Sequence, residues 1–126
     1  MLRSMATAAA PLVRKVNVVY LYVSDMARSA AFYRDLLGIP LEGDDDWQEA
    51  SLGGTRFALH LTHEGIGDLS AGTIHLNLEV EDVDAATERL TAAGIHVEET
   101  MRDDWGAAVR IEDPDGYRLY LFEPPR

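Results

Sequence analysis

The sequence predicts an α+β fold built from two βαβββ modules, and three observations carry the prediction. Val18 to Gly38 and His75 to Gly94 follow one plan: an alternating strand, an aspartate, a helical stretch and a closing glycine. Each copy is followed by three short strand-like runs, so helices alternate with antiparallel ribbons. One copy is too small to bury its own hydrophobic face, so the halves must pack together or against another subunit.

The elements follow in order. Val16 to Val23 is β-branched and aromatic, the composition of a strand. Asp25 is placed to cap a helix from Met26 to Leu37, and Gly38 supplies a left-handed stop. Strands are expected at about Leu41 to Gly43, Trp47 to Leu52 and Arg56 to His63, with Gly53-Gly54 turning the last hairpin. Glu64 to Gly72 reads as a loop joining the halves. The second half repeats the plan with a strand from Ile74 to Val80 and a helix from Val83 to Ala93 between Asp82 and Gly94. Its later strands are expected at about His96 to Glu99, Trp105 to Glu112 and Tyr117 to Glu123. Asp113-Pro-Asp-Gly is strong turn chemistry, so Asp113 and Asp115 are assigned no catalytic work. Residues 1–15 read as a flexible extension rather than a secretory signal, because their apolar run is short and stops at Pro11. Residues 16–126 read as one domain, with modules at about 16–63 and 74–124.

Composition removes several function classes. There is no cysteine among 126 residues, which excludes disulfides, thiolate metal sites and cysteine nucleophiles. A net charge of -11 argues against nucleic acid and favours cationic ligands. No stretch approaches the ~20 apolar residues of a membrane span, so a cytoplasmic protein is expected. The sequence also lacks a phosphate-cradling glycine loop and a nucleophile elbow.

Strand alternation sorts the polar side chains onto one surface. Ile74, Leu76, Leu78 and Val80 face the helix, leaving His75, Asn77 and Glu79 on the other side. Val18, Tyr20 and Tyr22 share a face, as do Ala58, His60 and Thr62, and Arg118, Tyr120 and Phe122. These mixed faces are read as a pocket lining.

Three segments carry a family resemblance: Ser24-Asp-Met-Ala-Arg-Ser-Ala-Ala-Phe-Tyr-Arg-Asp-Leu-Leu-Gly-Ile, His75-Leu-Asn-Leu-Glu-Val-Glu-Asp-Val-Asp, and Glu112-Asp-Pro-Asp-Gly-Tyr-Arg-Leu-Tyr-Leu-Phe-Glu. In this order they resemble the vicinal oxygen chelate superfamily, which includes glyoxalase I, fosfomycin- and bleomycin-resistance proteins and extradiol dioxygenases. The resemblance covers about Val16 to Pro124 and implies the glyoxalase/bleomycin-resistance fold, a curved sheet bearing a cleft. It also implies a homodimer. Fold does not fix the reaction, which depends on the residues in the cleft.

The resemblance places the family's four metal ligands at Val18, His60, His75 and Tyr120. Valine has no donor atom, and a tyrosine phenol, ionising near ~10, is a poor ligand at neutral pH. His60 and His75 alone fall short of the roughly three protein ligands of a catalytic site. Glu49 or Glu79 is the nearest source of a further carboxylate.

Three readings therefore stay open, the third a partner-bound regulatory or accessory domain without small-molecule chemistry. In the first, the chain binds a planar or cationic small molecule, an antibiotic for example, with a degenerate metal site and no tightly held cofactor. In the second, His60 and His75 hold one divalent ion (Zn, Ni, Mn or Fe) for a glyoxalase-like lyase, isomerase or dioxygenase. In the first two the expected ligand residues are Tyr20, Trp47, His60, His75, Asn77, Trp105 and Tyr120. Trp47 and Trp105 begin strands after acidic runs at matching places in the two halves and are expected to wall the ligand. No catalytic residue is assigned.

Overall fold

The computed structural model describes residues 16–67 and 76–126. Strand β1 (Val18–Val23) leads into α1 (Met26–Ala30), which continues as a π-helical segment over Ala31–Leu36. Strands β2 (Glu42–Gly43), β3 (Trp47–Leu52) and β4 (Thr55–Leu61) complete the first module. The second module runs β5 (Leu76–Glu79), α2 (Val83–Ala92), β6 (Met101–Asp103), β7 (Gly106–Glu112) and β8 (Arg118–Glu123). Two four-stranded mixed sheets result, ordered β1-β4-β3-β2 and β5-β8-β7-β6. In each, the first strand pairs in parallel with the last and the remaining pairs are antiparallel.

The punctuation expected from the sequence is in place. The Asp25 carboxylate accepts from the Arg28 backbone N–H and that of Asp82 from the Ala85 N–H, each at 3.0 Å. Gly38 and Gly94 follow the helices with φ of 81° and 83°, a region that L-residues with a Cβ rarely adopt. Gly53 and Gly54 both take positive φ in the β3–β4 turn.

Two expectations fail. The helix expected over Met26 to Leu37 is not α-helical throughout: in its second half the Leu37 N–H donates to the Phe32 carbonyl five residues back. The wider turn accompanies burial of the consecutive residues Phe32 and Tyr33 in the core. The strand expected at about His96 to Glu99 is absent. The strand that pairs with β7 is Met101–Asp103, and the earlier segment contributes one backbone bond, from the Glu98 N–H to the Arg110 carbonyl. The segment directly before β7 takes the pairing position because the chain reverses at Asp104 and Trp105, and at Gly106 a Cβ would stand 2.2 Å from the Glu123 carbonyl oxygen on the other side. Only glycine fits there, and the tight turn before it sets Asp103 opposite Gly106.

One core joins the modules. Val23, Phe32, Tyr33, Phe57 and Leu59 of the first cluster with Val83, Leu90, Val109, Leu119 and Leu121 of the second. The Asp113–Gly116 turn then clasps the first module. Asp115 accepts from the backbone and hydroxyl of Ser24 and from Arg28, while the Tyr117 hydroxyl donates to the Tyr22 carbonyl.

Candidate functional site: an aromatic face on the first sheet

Period-two alternation and the strand register together assemble the site. On the first sheet Tyr22 lies opposite His60 and Tyr20 opposite Ala58, while on the other side of β4 His60 faces Trp47 and Ala58 faces Glu49. Three neighbouring strands thus bring four rings together. Tyr20 lies 5.4 Å from Trp47, 5.6 Å from Tyr22 and 5.9 Å from His60 between ring centroids. His60 lies 5.3 Å from Tyr22 and 5.5 Å from Trp47. These are the separations of tilted and edge-on aromatic pairs. Tyr20 and Tyr22 stay 42% and 46% exposed, so the cluster presents ring surface rather than hiding it.

Ala58 is the floor. It is fully buried beneath its neighbours, and its small side chain leaves room above the strand for the Glu49 carboxylate and the Arg56 guanidinium. Glu49 accepts the Trp47 indole N–H at 2.7 Å and bonds to Arg56 at 3.0 and 3.1 Å. The indole bond and then Arg56 hold the Glu49 carboxyl below the usual range. The Tyr22 phenol is raised, chiefly by a hydrogen bond with Tyr20.

The second sheet carries a different face. Asn77 lies opposite Tyr120 and Glu79 opposite Phe122. Arg110 lies across from Tyr120 and pairs with Glu98 at 3.1 Å. Trp105 stacks on Phe122 at 6.2 Å, with the ring planes 23° apart.

Of the expected site residues, Tyr20, Trp47 and His60 come together, and Asn77 and Tyr120 form a second pair. His75 lies outside the described residues. The two tryptophans are not equivalent. Trp47 is a strand residue facing His60; in the second sheet the residue facing Phe122, the counterpart of His60, is Ala108. Trp105 instead occupies the turn before β7, because that strand begins at Gly106 rather than at the tryptophan. Tyr22 was expected on this pocket-lining face and Glu49 as a source of a carboxylate; Arg56 joins them although it was not expected there. Alternation from Tyr20 and Trp47 was the signal for Tyr22 and Glu49; alternation from His60 through Ala58 puts Arg56 on the same face of β4, and the β3–β4 pairing, which sequence does not give, brings it to Glu49.

The ligand set implied for a metal fits these residues poorly. Val18 has no donor, and Arg56, a permanent cation, is its partner across β4. His60 directs Nδ1 at its neighbour's carbonyl, Leu61 O, at 3.0 Å, and its ring is flanked by Tyr20, Tyr22 and Trp47. Glu49 is committed to Trp47 and Arg56. Among the described residues no three His, Asp or Glu side chains gather as a metal-binding group.

A cleft of 790 Å³ lies on the helix side between the modules, lined by Val19, Phe57, Leu78 and Leu90 and also by Arg56 and by Asn77, one of the expected ligand residues. Its walls are mainly aliphatic, with Arg56, Glu79 and Arg89 at its borders, whereas the aromatic face gathers the rings. No helix among the described residues is long and apolar enough to cross a membrane.

Comparisons with known proteins fit this architecture. The family model described as Glyoxalase/Bleomycin resistance protein/Dioxygenase superfamily matches residues 15–121. A probable lactoylglutathione lyase, chloroplastic, of Arabidopsis thaliana is 34% identical over 87% of the chain, which spans only 35% of that protein. A lactoylglutathione lyase of Haemophilus influenzae is 30% identical, covering 82% of this chain and 87% of its own length. Among solved structures, TnmS3, an antibiotic binding protein from Streptomyces sp. CB03234, superposes with a TM-score of 0.74 at 26% identity. That match covers 91% of this chain and 99% of the other.

Proposed function

Because the chain belongs to the glyoxalase/bleomycin resistance protein/dioxygenase superfamily, we propose that it binds and sequesters a flat, cationic small molecule on the aromatic face of its first sheet, without a tightly held metal. The observation that carries this reading is the four-ring cluster of Tyr20, Tyr22, Trp47 and His60 beside the Glu49 carboxylate. Exposed rings attract a flat cation through their π faces, and the net charge of -11 adds long-range attraction. The likeness to an antibiotic binding protein supports the binding of a small molecule. His60 acts here as a ring of the stacking surface, its Nδ1 turned to the Leu61 carbonyl. The protein works as a cytoplasmic homodimer, and the second sheet's Asn77, Tyr120 and Trp105 complete the ligand's surroundings.

The identity to lactoylglutathione lyases favours a second reading, a lyase using a divalent ion on His60 and His75. The residues present offer it little: two of the four implied ligand positions are Val18 and Tyr120. One experiment separates the readings. Purified protein is analysed for metal, then screened by thermal shift against divalent ions and flat aromatic cations. Stabilisation by cations alone supports sequestration. Stoichiometric metal, or stabilisation by divalent ions alone, supports the lyase. A ligand bound in the helix-side cleft overturns both.

A further inference from the structure

We propose that Glu49 is the positioning residue of the aromatic site: it fixes the Trp47 indole through Nε1, and Arg56 holds Glu49 where it can do so. The inference deepens the reading above, since it concerns which residue sets the shape of the same site.

Three observations carry it. Glu49 follows Trp47 by two residues, so both side chains stand on one face of β3. The indole N–H is the only polar atom of a tryptophan that is otherwise packed against Tyr20 and His60, and it is spent on Glu49 at 2.7 Å. That bond removes the freedom of the ring to turn about its own side chain. Glu49 in turn meets one Arg56 nitrogen with both oxygens, at 3.1 and 3.0 Å, from the neighbouring strand. An exposed pair of this kind adds little to stability. Its effect is geometric, because charge-assisted bonds are short and directional and here converge on one ring. Fully buried Ala58 beneath them makes the arrangement possible, since a larger residue would fill the space the two charged groups occupy.

The arrangement also has an electrostatic consequence. Arg56 neutralises the carboxylate nearest the rings, so the attraction felt by a cation comes mainly from ring faces. Selectivity then depends on how Trp47 is turned. A loose indole would still offer apolar surface but not a set plane for stacking.

The test starts from a Trp105→Phe protein, in which Trp47 is the only tryptophan. Hydrogen exchange and the NMR shift of its indole N–H are followed in Glu49→Gln, Glu49→Ala and Arg56→Gln derivatives. N-methylacridinium, a flat aromatic cation, is titrated into each with neutral acridine as control. Glu49→Ala should speed indole exchange by roughly tenfold, the size of one charge-assisted hydrogen bond, and weaken N-methylacridinium about as much. Glu49→Gln keeps an acceptor and should restore much of both effects. Arg56→Gln should give an intermediate exchange rate. Unchanged exchange in Glu49→Ala, or no difference between the Gln and Ala variants, overturns the proposal. If the parent protein fails to bind N-methylacridinium, the cation-binding reading fails, and indole exchange still decides the role of Glu49.

Discussion

Tyr33, on the helix of the first module, donates its phenol proton to the buried carboxylate of Asp113 in the second, at 2.7 Å. Tyr33 is fully buried and its ring packs against Phe57 at 5.2 Å, so the hydroxyl crosses the core to reach its partner. The same carboxylate accepts the backbone N–H groups of Asp115 and Tyr117, which shapes the turn that clasps Ser24 and Arg28. One buried acid therefore organises the turn and ties it to the other half of the chain.

Tyr33→Phe should lower stability by roughly 1–3 kcal/mol, the cost of leaving a buried acceptor short of one donor. The two backbone donors still satisfy Oδ1, but Oδ2 loses its hydroxyl donor, so the whole of that range applies. Urea unfolding of native and variant proteins measures it; equal midpoints would show that the bond contributes nothing.

Alkaline stability should depend on the same side chain. Burial, then the Asp113 charge, raises the Tyr33 phenol well above its ordinary value of 10.0. A raised folded value means that the folded protein holds this proton more tightly than the unfolded chain. The associated stability is complete below pH 10 and is lost as pH rises from there through the folded value. Tyr33→Phe has no proton to lose, so its stability should fall less steeply above pH 10. Some slope remains, because burial also raises Tyr117. Identical slopes from pH 9 to 11 would count against this account.

How much of this was legible in the sequence depends on the range of the forces involved. Caps, left-handed glycines and strand faces are local, so Asp25, Asp82, Gly38 and the polar alternation around Tyr20 could be read directly. The family resemblance supplied the global fold. Register was not legible, because it depends on pairing between distant strands, and the two tryptophans therefore looked alike. The Asp113-Pro-Asp-Gly turn was read correctly as a turn, but its role between modules came from the buried Tyr33 hydroxyl. The π-helical turn at Ala31–Leu36 accompanies burial of two adjacent rings, and helix periodicity does not encode it.

Metal content offers an independent check. Protein purified without chelators should carry well under one zinc, nickel, manganese or iron per chain, given Val18 and Tyr120 at two of the implied ligand positions. Val18→His with Tyr120→Glu should then create measurable affinity by supplying two donors. About one metal per native chain, lost in a His60→Ala/His75→Ala protein, would reverse this expectation.

Oligomeric state bears on whether one chain completes the site. Tyr20 and Tyr22 on the first sheet and Trp105 in the turn before β7 are 42%, 46% and 47% exposed, aromatic surface that a second copy of the chain would cover. Light scattering should give twice the chain mass at micromolar concentration. A monomer mass under those conditions would require each chain to bind its ligand alone.

The ligand prediction distinguishes the two tryptophans that the sequence made equivalent. Trp47 belongs to the four-ring cluster and is bonded to Glu49, whereas Trp105 sits in a turn with Phe122 as its stacking partner. For a flat cation such as N-methylacridinium, each cation–π contact is worth ~0.5–2 kcal/mol. Trp47→Leu should therefore weaken binding by about two- to thirtyfold, and Trp105→Leu by less. His60→Ala removes a ring in contact with Tyr20, Tyr22 and Trp47 and should fall with Trp47→Leu. Raising salt should weaken native binding modestly, because the long-range attraction of the acidic chain is screened while ring contact is not. Isothermal titration of the three variants at two salt concentrations gives the whole comparison. If Trp105→Leu costs more than Trp47→Leu, the ligand lies on the second sheet, and the aromatic face of the first is packing rather than a site.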